Sequence, residues 1–467
     1  MRKYGAVIFA ICVGLMAEAE SIAGQNEISL LQYVDIVLNQ SLEAQSINDR
    51  LRSAELSLDS AGSAYAFQWV PSVNISNSEN VQTRGAGISV ERQSTFGTKF
   101  SLGARYNRIK SGSDVSESPV VFGRVEQGLF RNWGEEAGRY RLNKAELGNQ
   151  RDRWIAIGEK QNLIRKAVQQ YFAVILAQER VTISNNNLKR ALSNLEISQS
   201  RYELGLVPKT DIYRAELAQL SILDALERDK NRLLIQKRQF VDLVNGQVSQ
   251  VFEISVKDIL FTRPTLPSNF ALSYQLRSDW QTFKIDLADL TLDLKNAKRQ
   301  LLPDIKLYVS GEKYGNADLA GNFDSSDDID WRFGLTYSTP LSLAEERNNV
   351  ELVNIQLNAL ERNQVAIERR IQQQILDAYD TATSAKRRLD IANERVKQAE
   401  KAAELAEIRF QRGLASNLDL IDAENELQNA RNQALQQMVD LNLTVVIYAR
   451  RSGVLDFRWL EENIVYY

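Results

Sequence analysis

Two different periods organise the hydrophobic positions of this chain, and each occurs twice. Leu389, Ala392, Val396, Ala399, Ala403, Ala406 and Phe410 recur at steps of three and four, and Val181, Ser184, Leu188, Ala191, Leu195, Ser198 and Tyr202 do the same. A sustained heptad predicts a coiled-coil seam, and its many Ala and Ser residues let a partner helix approach closely. Residues 135–204 and 343–412 contain no proline, so each stretch of about 70 residues predicts a helix of ~100 Å. Elsewhere the period is two. Trp331, Phe333, Leu335 and Tyr337 alternate with Arg332, Gly334, Thr336 and Ser338. Phe96, Thr98, Phe100, Leu102, Ala104 and Tyr106 alternate with Gly97, Lys99, Ser101, Gly103 and Arg105. One apolar and one polar face suits a barrel strand between lipid and water, and equally a half-buried soluble sheet.

The recurrence extends to the whole plan of the chain. Arg201-Tyr202-Glu203-Leu204-Gly205-Leu206 corresponds to Arg409-Phe410-Gln411-Arg412-Gly413-Leu414, offset by 208 residues, and Asp211-Ile212 to Asp419-Leu420 at the same offset. Trp69-Val70-Pro71 corresponds to Leu301-Leu302-Pro303 at an offset of 232, and Gly128-Leu129 to Pro340-Leu341 at 212. Pro71 to Gly128 is 57 residues whereas Pro303 to Pro340 is 37, so the first copy carries about 20 more in its strand region, in a loop or hairpin. Each copy ends its seam at a glycine suited to positive φ. The tips are Leu206–Thr210 and Leu414–Leu418, with Lys209-Thr210 and Ser416-Asn417 as cap candidates and Asp211 and Asp419 opening the return helices. One strand hairpin per copy predicts about four strands per chain. Four strands cannot close a barrel, so a membrane reading requires oligomerisation.

Composition decides which readings survive. Met1, Arg2 and Lys3 precede an apolar run from Gly5 to Met16 and then Ala17-Glu18-Ala19, the pattern of a secretory signal peptide. The run is too short to span a bilayer as a helix, which needs roughly 20 residues, and no later stretch is long enough. The signal and the missing helix tip the strands toward an outer-membrane barrel. Histidine is absent and the single cysteine, Cys12, lies in the signal. Most metal centres and the Ser-His-Asp and Cys-His arrangements are thereby excluded, and neither an enzyme nor a cofactor is expected. With 57 basic and 60 acidic residues the net charge is −3, against a nucleic-acid partner.

The ordered set resembles the TolC-like outer-membrane efflux protein family over nearly the whole mature chain. It comprises the opening helix Ile28–Gln40, the helix-to-strand junctions Ala61–Pro71 and Ala297–Pro303, and the two Gly-Leu tips. The resemblance implies a mainly α fold with a β-barrel part: a long coiled-coil α-helical barrel plus a twelve-stranded transmembrane β-barrel completed by trimerisation of an internally duplicated chain. The corresponding divisions are signal peptide 1–19, first repeat 20–244 (tip near 205–211), linker or equatorial segment 245–278, second repeat 279–450 (tip near 413–419) and C-terminal tail 451–467, partly ordered at best.

The resemblance also implies partners and site residues. Gly205, Leu206, Val207, Gly413 and Leu414 correspond to tips that contact a periplasmic adaptor protein joined to an inner-membrane pump of RND or ABC type. Asp419 and Asp422, at i and i+3 on one helix face, correspond to aspartates lining the narrowest part of the entrance. A trimer would gather six carboxylates there, favouring cations and raising some carboxyl pKa values by crowding. The plainer reading is that Asp419 caps a helix and Asp422 is a solvated charge. Some family members hold the entrance shut with an Arg and a Tyr; Ala415 and Phe410 occupy those positions here, with Lys209 and Asp211 as further gate neighbours. Arg214 stands where the first copy would match Asp422. The expected function is an outer-membrane channel-tunnel, a homotrimer in contact with outer-membrane lipid and extending into the periplasm of a Gram-negative bacterium. It would export small molecules or proteins for a tripartite efflux pump or a type I secretion system. A periplasm-spanning coiled-coil structural or adaptor protein without a pore is the alternative.

Overall fold

The computed structural model describes residues 27–112, 114–246, 253–254, 259–262, 264–266, 270–317, 323–325 and 328–466. The expected signal peptide and Cys12 lie outside the described residues. In chain order the elements are β1 (Glu27–Ile28), α1 (Leu30–Gln40), α2 (Leu42–Ser63), β2 (Gln68–Asn77), β3 (Val81–Gln93), β4 (Thr98–Ser111), β5 (Asp114–Gly128), α3 (Glu135–Gly138), α4 (Tyr140–Glu203) and α5 (Lys209–Leu243). There follow β6 (Glu253–Ile254), β7 (Ile259–Phe261), α6 (Ala271–Leu276), α7 (Ser278–Gln300), β8 (Asp304–Ala317), β9 (Phe323–Ser325), β10 (Asp330–Ser338), α8 (Ala344–Gln411), α9 (Asn417–Ser452), α10 (Phe457–Asn463) and β11 (Ile464–Tyr466). The chain divides into two compact units, Met1–Asp49 with Ala156–Ser278 and Glu368–Tyr467, and Arg50–Ile155 with Asp279–Ile367. Each draws on both sequence repeats.

The first unit is helical. On α8 the buried positions Ile371, Ile375, Ala378, Ala382, Ala385, Leu389, Ala392, Ala399, Ala403 and Phe410 keep a heptad, with Val396 half-buried, so the seam begins well before Leu389. Ala399 and Ala403 pack on Leu427 and Ala430 of α9. The α4 seam differs from its sequence pattern. Ser184, Ala191 and Ser198 are buried, but Asn187 and Asn194 take the intervening core positions while Leu188 and Leu195 are only half-buried.

An aromatic core closes this unit away from the tips. A capping box starts α1: the Gln32 amide donates to Ser29 Oγ (3.3 Å) and the Ser29 amide to Gln32 Oε1 (3.0 Å). That start presents Tyr33, which stacks on Phe240 of α5 at 3.7 Å between centroids and donates its hydroxyl to the Phe240 carbonyl at 3.0 Å. Tyr171 of α4 donates to the Ile28 carbonyl, and Phe172 meets Phe261 edge-on. Burial pushes the Tyr33 hydroxyl well above its ordinary value. The tail is more ordered than its sequence suggests. β11 pairs antiparallel with β7, Leu455 and Leu460 are fully buried, and Trp459 stacks on Phe261. Asn442 accepts the Phe261 amide at 3.0 Å, so β7 is held from both sides.

The second unit contains a sheet ordered β10-β8-β5-β4-β3-β2, with β9 beside β8 and every neighbour antiparallel. This corrects the expectation of about four strands. The first repeat supplies two hairpins, β2–β3 and β4–β5, and its additional residues are the reason. Pro71 falls inside β2 and Phe96 in the turn before β4. The register puts Trp69, Val90, Leu102, Gly123, Gly311 and Trp331 on one rung. On that face Trp331, Phe333, Leu335 and Tyr337 are 61, 74, 64 and 63% exposed. The opposite face carries Arg105 at 3.0 Å and Arg332 at 3.5 Å from Glu312, and Arg124 at 3.0 Å from Glu126. Among the described residues no helix is long and apolar enough to cross a membrane. Beneath the sheet, Lys144 of α4 meets Asp293 and Asp289 of α7 at 2.7 and 3.4 Å.

Two substitutions separate packing from hydrogen bonding in the aromatic core. Phe240→Ala should cost about 3–5 kcal/mol, whereas Tyr33→Phe keeps the stack and loses one hydrogen bond, costing about 1 kcal/mol. Thermal unfolding in detergent, followed by circular dichroism, should lower the midpoint far more for the first.

Candidate functional site at the hairpin tips

Both tips are built by the same local chemistry. α4 runs out at Glu203, and Gly205 turns the chain at φ 73°, its amide donating to the Tyr202 carbonyl (2.8 Å) while that of Leu206 donates to Arg201 (2.9 Å). In the second copy Gly413 has φ 75°, and the amides of Gly413 and Leu414 donate to Phe410 (2.9 Å) and Arg409 (2.8 Å). These bonds satisfy carbonyls left over at a helix end, and a side chain at either glycine would be strained. The turns push Leu206 and Leu414 outward, 65% and 75% exposed, with Val207 half-buried.

The return helices begin differently. α9 starts with a capping box: the Asp419 amide donates to Ser416 Oγ at 3.2 Å, and the Ser416 amide and hydroxyl donate to Asp419 Oδ2 at 2.9 and 2.8 Å. The Ser416 hydroxyl, and then its amide, hold the Asp419 carboxyl below its ordinary value. This contribution to the helix start is present above the unfolded carboxyl's pKa and is lost as pH falls through the lower folded value. Asp422, one turn on, is exposed. α5 starts after Pro208 with no side-chain cap. Its Asp211 lies 3.6 Å from Arg214, the cation standing in the register of Asp422. Lys209 sits over the Tyr213 ring at 5.6 Å, whose hydroxyl raises the lysine's pKa.

Two side chains to which the sequence pattern gives no such role tie the hairpins together, and one of them, Asn417, is a cap candidate whose place at the helix start is taken by Ser416. Asn417 is fully buried; its Oδ1 accepts from Asn194 of α4 at 3.0 Å and its Nδ2 donates to the Asp211 carbonyl at 2.9 Å. Arg201 donates from Nη1 to the Phe410 carbonyl at 2.7 Å and lies over the Phe410 ring at 4.8 Å. The same carbonyl accepts the Gly413 amide, so both of its lone pairs are engaged. A hydrogen bond to a charged group contributes about 1.5–3 kcal/mol, and a cation over an aromatic ring about 0.5–2 kcal/mol more. Phe410 is therefore an anchor even without a hydroxyl, and Ala415, five residues on and past the turn, is half-buried. Arg201 was visible only as part of the repeated Arg-aromatic pair; the pairing partner of a long side chain cannot be read from its position.

A cavity of about 330 Å³ opens between α4, α5 and α9, lined by Arg190, Asn194, Arg214, Leu418, Ile421 and Glu424 among others. Burial raises the Glu424 carboxyl against the pull of Arg190, and burial likewise lowers Arg190. The acidic residues of this region are thus of two kinds: Glu424 is partly enclosed, while Asp419 and Asp422 face solvent.

The comparisons with known proteins agree with this architecture. Residues 278–442 match the model of the outer membrane efflux protein family. Nodulation protein T of Rhizobium leguminosarum bv. trifolii is 22% identical over 441 residues, covering 89% of this chain and 84% of that protein. The alkaline protease secretion protein AprF of Pseudomonas aeruginosa is 22% identical over 393 residues, covering 76% of this chain and 77% of its own. The solved outer membrane protein VceC of Vibrio cholerae has the same fold, with a TM-score of 0.69 at 17% identity over 91% of this chain and 96% of that one.

The clamp can be tested within a protomer. Spin labels at Leu206→Cys and Leu414→Cys should report a narrow distance distribution by pulsed electron spin resonance. Arg201→Ala should broaden and lengthen it, and Arg201→Lys should lie between; an unchanged distribution in Arg201→Ala would show that the Arg201–Phe410 contact does not hold the tips together.

Proposed function

We propose that this chain, a TolC-like outer membrane efflux protein, works as a homotrimeric export duct through the outer membrane of a Gram-negative bacterium. The observation that carries the reading is the two-faced sheet. Its Trp331-Phe333-Leu335-Tyr337 face would be a liability in water but is the solvated face in hydrocarbon, with the Arg105-Glu312-Arg332 face toward an aqueous lumen. The same feature weighs against the adaptor and coiled-coil structural readings, neither of which needs a lipid-facing sheet. The family is one of channel proteins, in keeping with passage rather than catalysis.

In this reading the tips at Gly205–Val207 and Gly413–Leu414 form the periplasmic entrance. Their exposed Leu206 and Leu414 suit an apolar contact with a periplasmic adaptor, itself joined to an inner-membrane pump of RND or ABC type. Three copies would bring Asp419 and Asp422 together as six carboxylates in a cation-favouring ring. Asp419 has both roles open to it, since the cap engages Oδ2. Arg201, through Phe410, would hold the two hairpins of one protomer as a unit during opening. The similar AprF is an alkaline protease secretion protein, which favours a protein-secretion setting as one use of such a duct.

Planar-bilayer recording of the purified protein tests the reading. Discrete channels are expected, and silence together with monomeric behaviour in detergent would sink it. Asp422→Asn, which leaves the cap intact, and Asp419→Asn, which retains an acceptor for it, should each move the reversal potential in a salt gradient toward lower cation preference. An unmoved reversal potential would reduce Asp419 to a helix cap and Asp422 to a solvated charge.

A further inference from the structure

Apart from the three-residue β9 beside the end of β8, the sheet is a run of six strands with two edges, β2 and β10, whose outward N–H and C=O groups have no strand beside them in this sheet. Hydrocarbon does not tolerate such edges. We propose that β10 of one copy pairs with β2 of the next, so that three copies close an eighteen-stranded barrel rather than the twelve-stranded one implied by the resemblance. The inference rests on the trimeric duct reading.

Direction, length, register and face all favour this seam. Neighbours alternate throughout the sheet and there are six strands, so β2 and β10 run in opposite directions and their joining is antiparallel. β2 has 10 residues and β10 has 9. Two registers give full overlap: one sets Trp69 opposite Ser338 and Asn77 opposite Asp330, an odd advance that would invert the faces, and the other sets Gln68 opposite Ser338 and Ser76 opposite Asp330, which places Ile75 opposite Trp331. Along the sheet Trp331 is level with Trp69, so the seam advances by 75 − 69, six residues. An even advance preserves the faces: Tyr337, Phe333 and Trp331 fall opposite Trp69, Val73 and Ile75, all on the apolar side. Pro71 supplies no N–H, which costs the seam one rung at most.

Closure geometry provides an independent check. Three advances of six give a total stagger of 18 residues around 18 strands. With ~3.3 Å per residue and ~4.8 Å between strands, that stagger tilts the strands by roughly 35°. Membrane barrels tilt by ≈ 35–45°, so the register chosen for overlap also satisfies the shape of a closed barrel. At that tilt eighteen strands enclose a backbone diameter of roughly 34 Å, against roughly 22 Å for twelve. The additional hairpin of the first repeat would thus widen the outer-membrane exit.

Cysteine pairs test the seam, because Cys12 is the only natural cysteine and lies in the expected signal. Phe333→Cys with Val73→Cys, and Gly334→Cys with Ser72→Cys, sample both faces at the proposed register. Oxidation in outer membranes should convert most of the protein to covalent dimers and trimers on non-reducing gels. Phe333→Cys with Tyr106→Cys, which lies level with Val73 on β4, should stay uncrosslinked. Crosslinking through Tyr106 would mean a twelve-stranded closure and overturn the proposal, as would failure of both seam pairs, and of Trp331→Cys with Ile75→Cys, in protein shown to be trimeric by native mass. Monomeric protein would instead refute the duct reading on which the proposal stands.

Discussion

A backbone amide that leaves water must find a partner, and much of this architecture follows from that demand. Long helices satisfy it internally except at their ends, so the tips are where the chain must spend special residues. Gly205 and Gly413 return leftover carbonyls to the turn, and Ser416 with Asp419 closes the start of α9. The sheet satisfies the demand through a continuous antiparallel ladder from β2 to β10. What it leaves open is its two edges, and those are what make a single copy incomplete in a lipid setting.

The same demand explains the polar atoms inside the helical seam. An alanine-rich interface brings backbones close but leaves little to distinguish one axial alignment from another. Asn417, buried between Asn194 and the Asp211 carbonyl, supplies that distinction because sliding by a turn would strand its amide. Arg201 acts alongside it, using a carbonyl already committed to the Gly413 turn. The two hairpins are thus alike in their turns and unlike in their starts, with a carboxylate cap on one and an uncapped Pro208 on the other.

Much of this was legible in the linear pattern. The heptad of α8 and the alternation of β10 announced themselves because apolar side chains mark the buried or lipid-facing positions directly. The duplication located both turns through Gly205 and Gly413. Other features were hidden for physical reasons. Asn187 and Asn194 occupy core positions where a search for apolar residues chooses Leu188 and Leu195. The longer first repeat is visible as length, but length alone does not distinguish a loop from β-strands, so one hairpin per repeat undercounts the strands. Arg201 is one of many arginines until three dimensions set it over Phe410. The tail lacked a long periodic run, and its order comes from pairing with a distant strand rather than from its own propensity.

That distant pairing bears on how the protein comes to be folded. β7 lies between the two repeats, yet its antiparallel neighbour is β11, and Thr262 shares its bonds with Asn463 across 201 residues of chain. Phe261 likewise waits for Trp459 and for Asn442. Contacts so remote in sequence are slow to form, since a long loop must close before they offer any return. The first half of the chain therefore cannot finish its own core while the second is still being delivered. A ribosome or translocon stalled before Trp459 and β11 would release a polypeptide with Phe261 still uncovered, a natural substrate for chaperones and proteases.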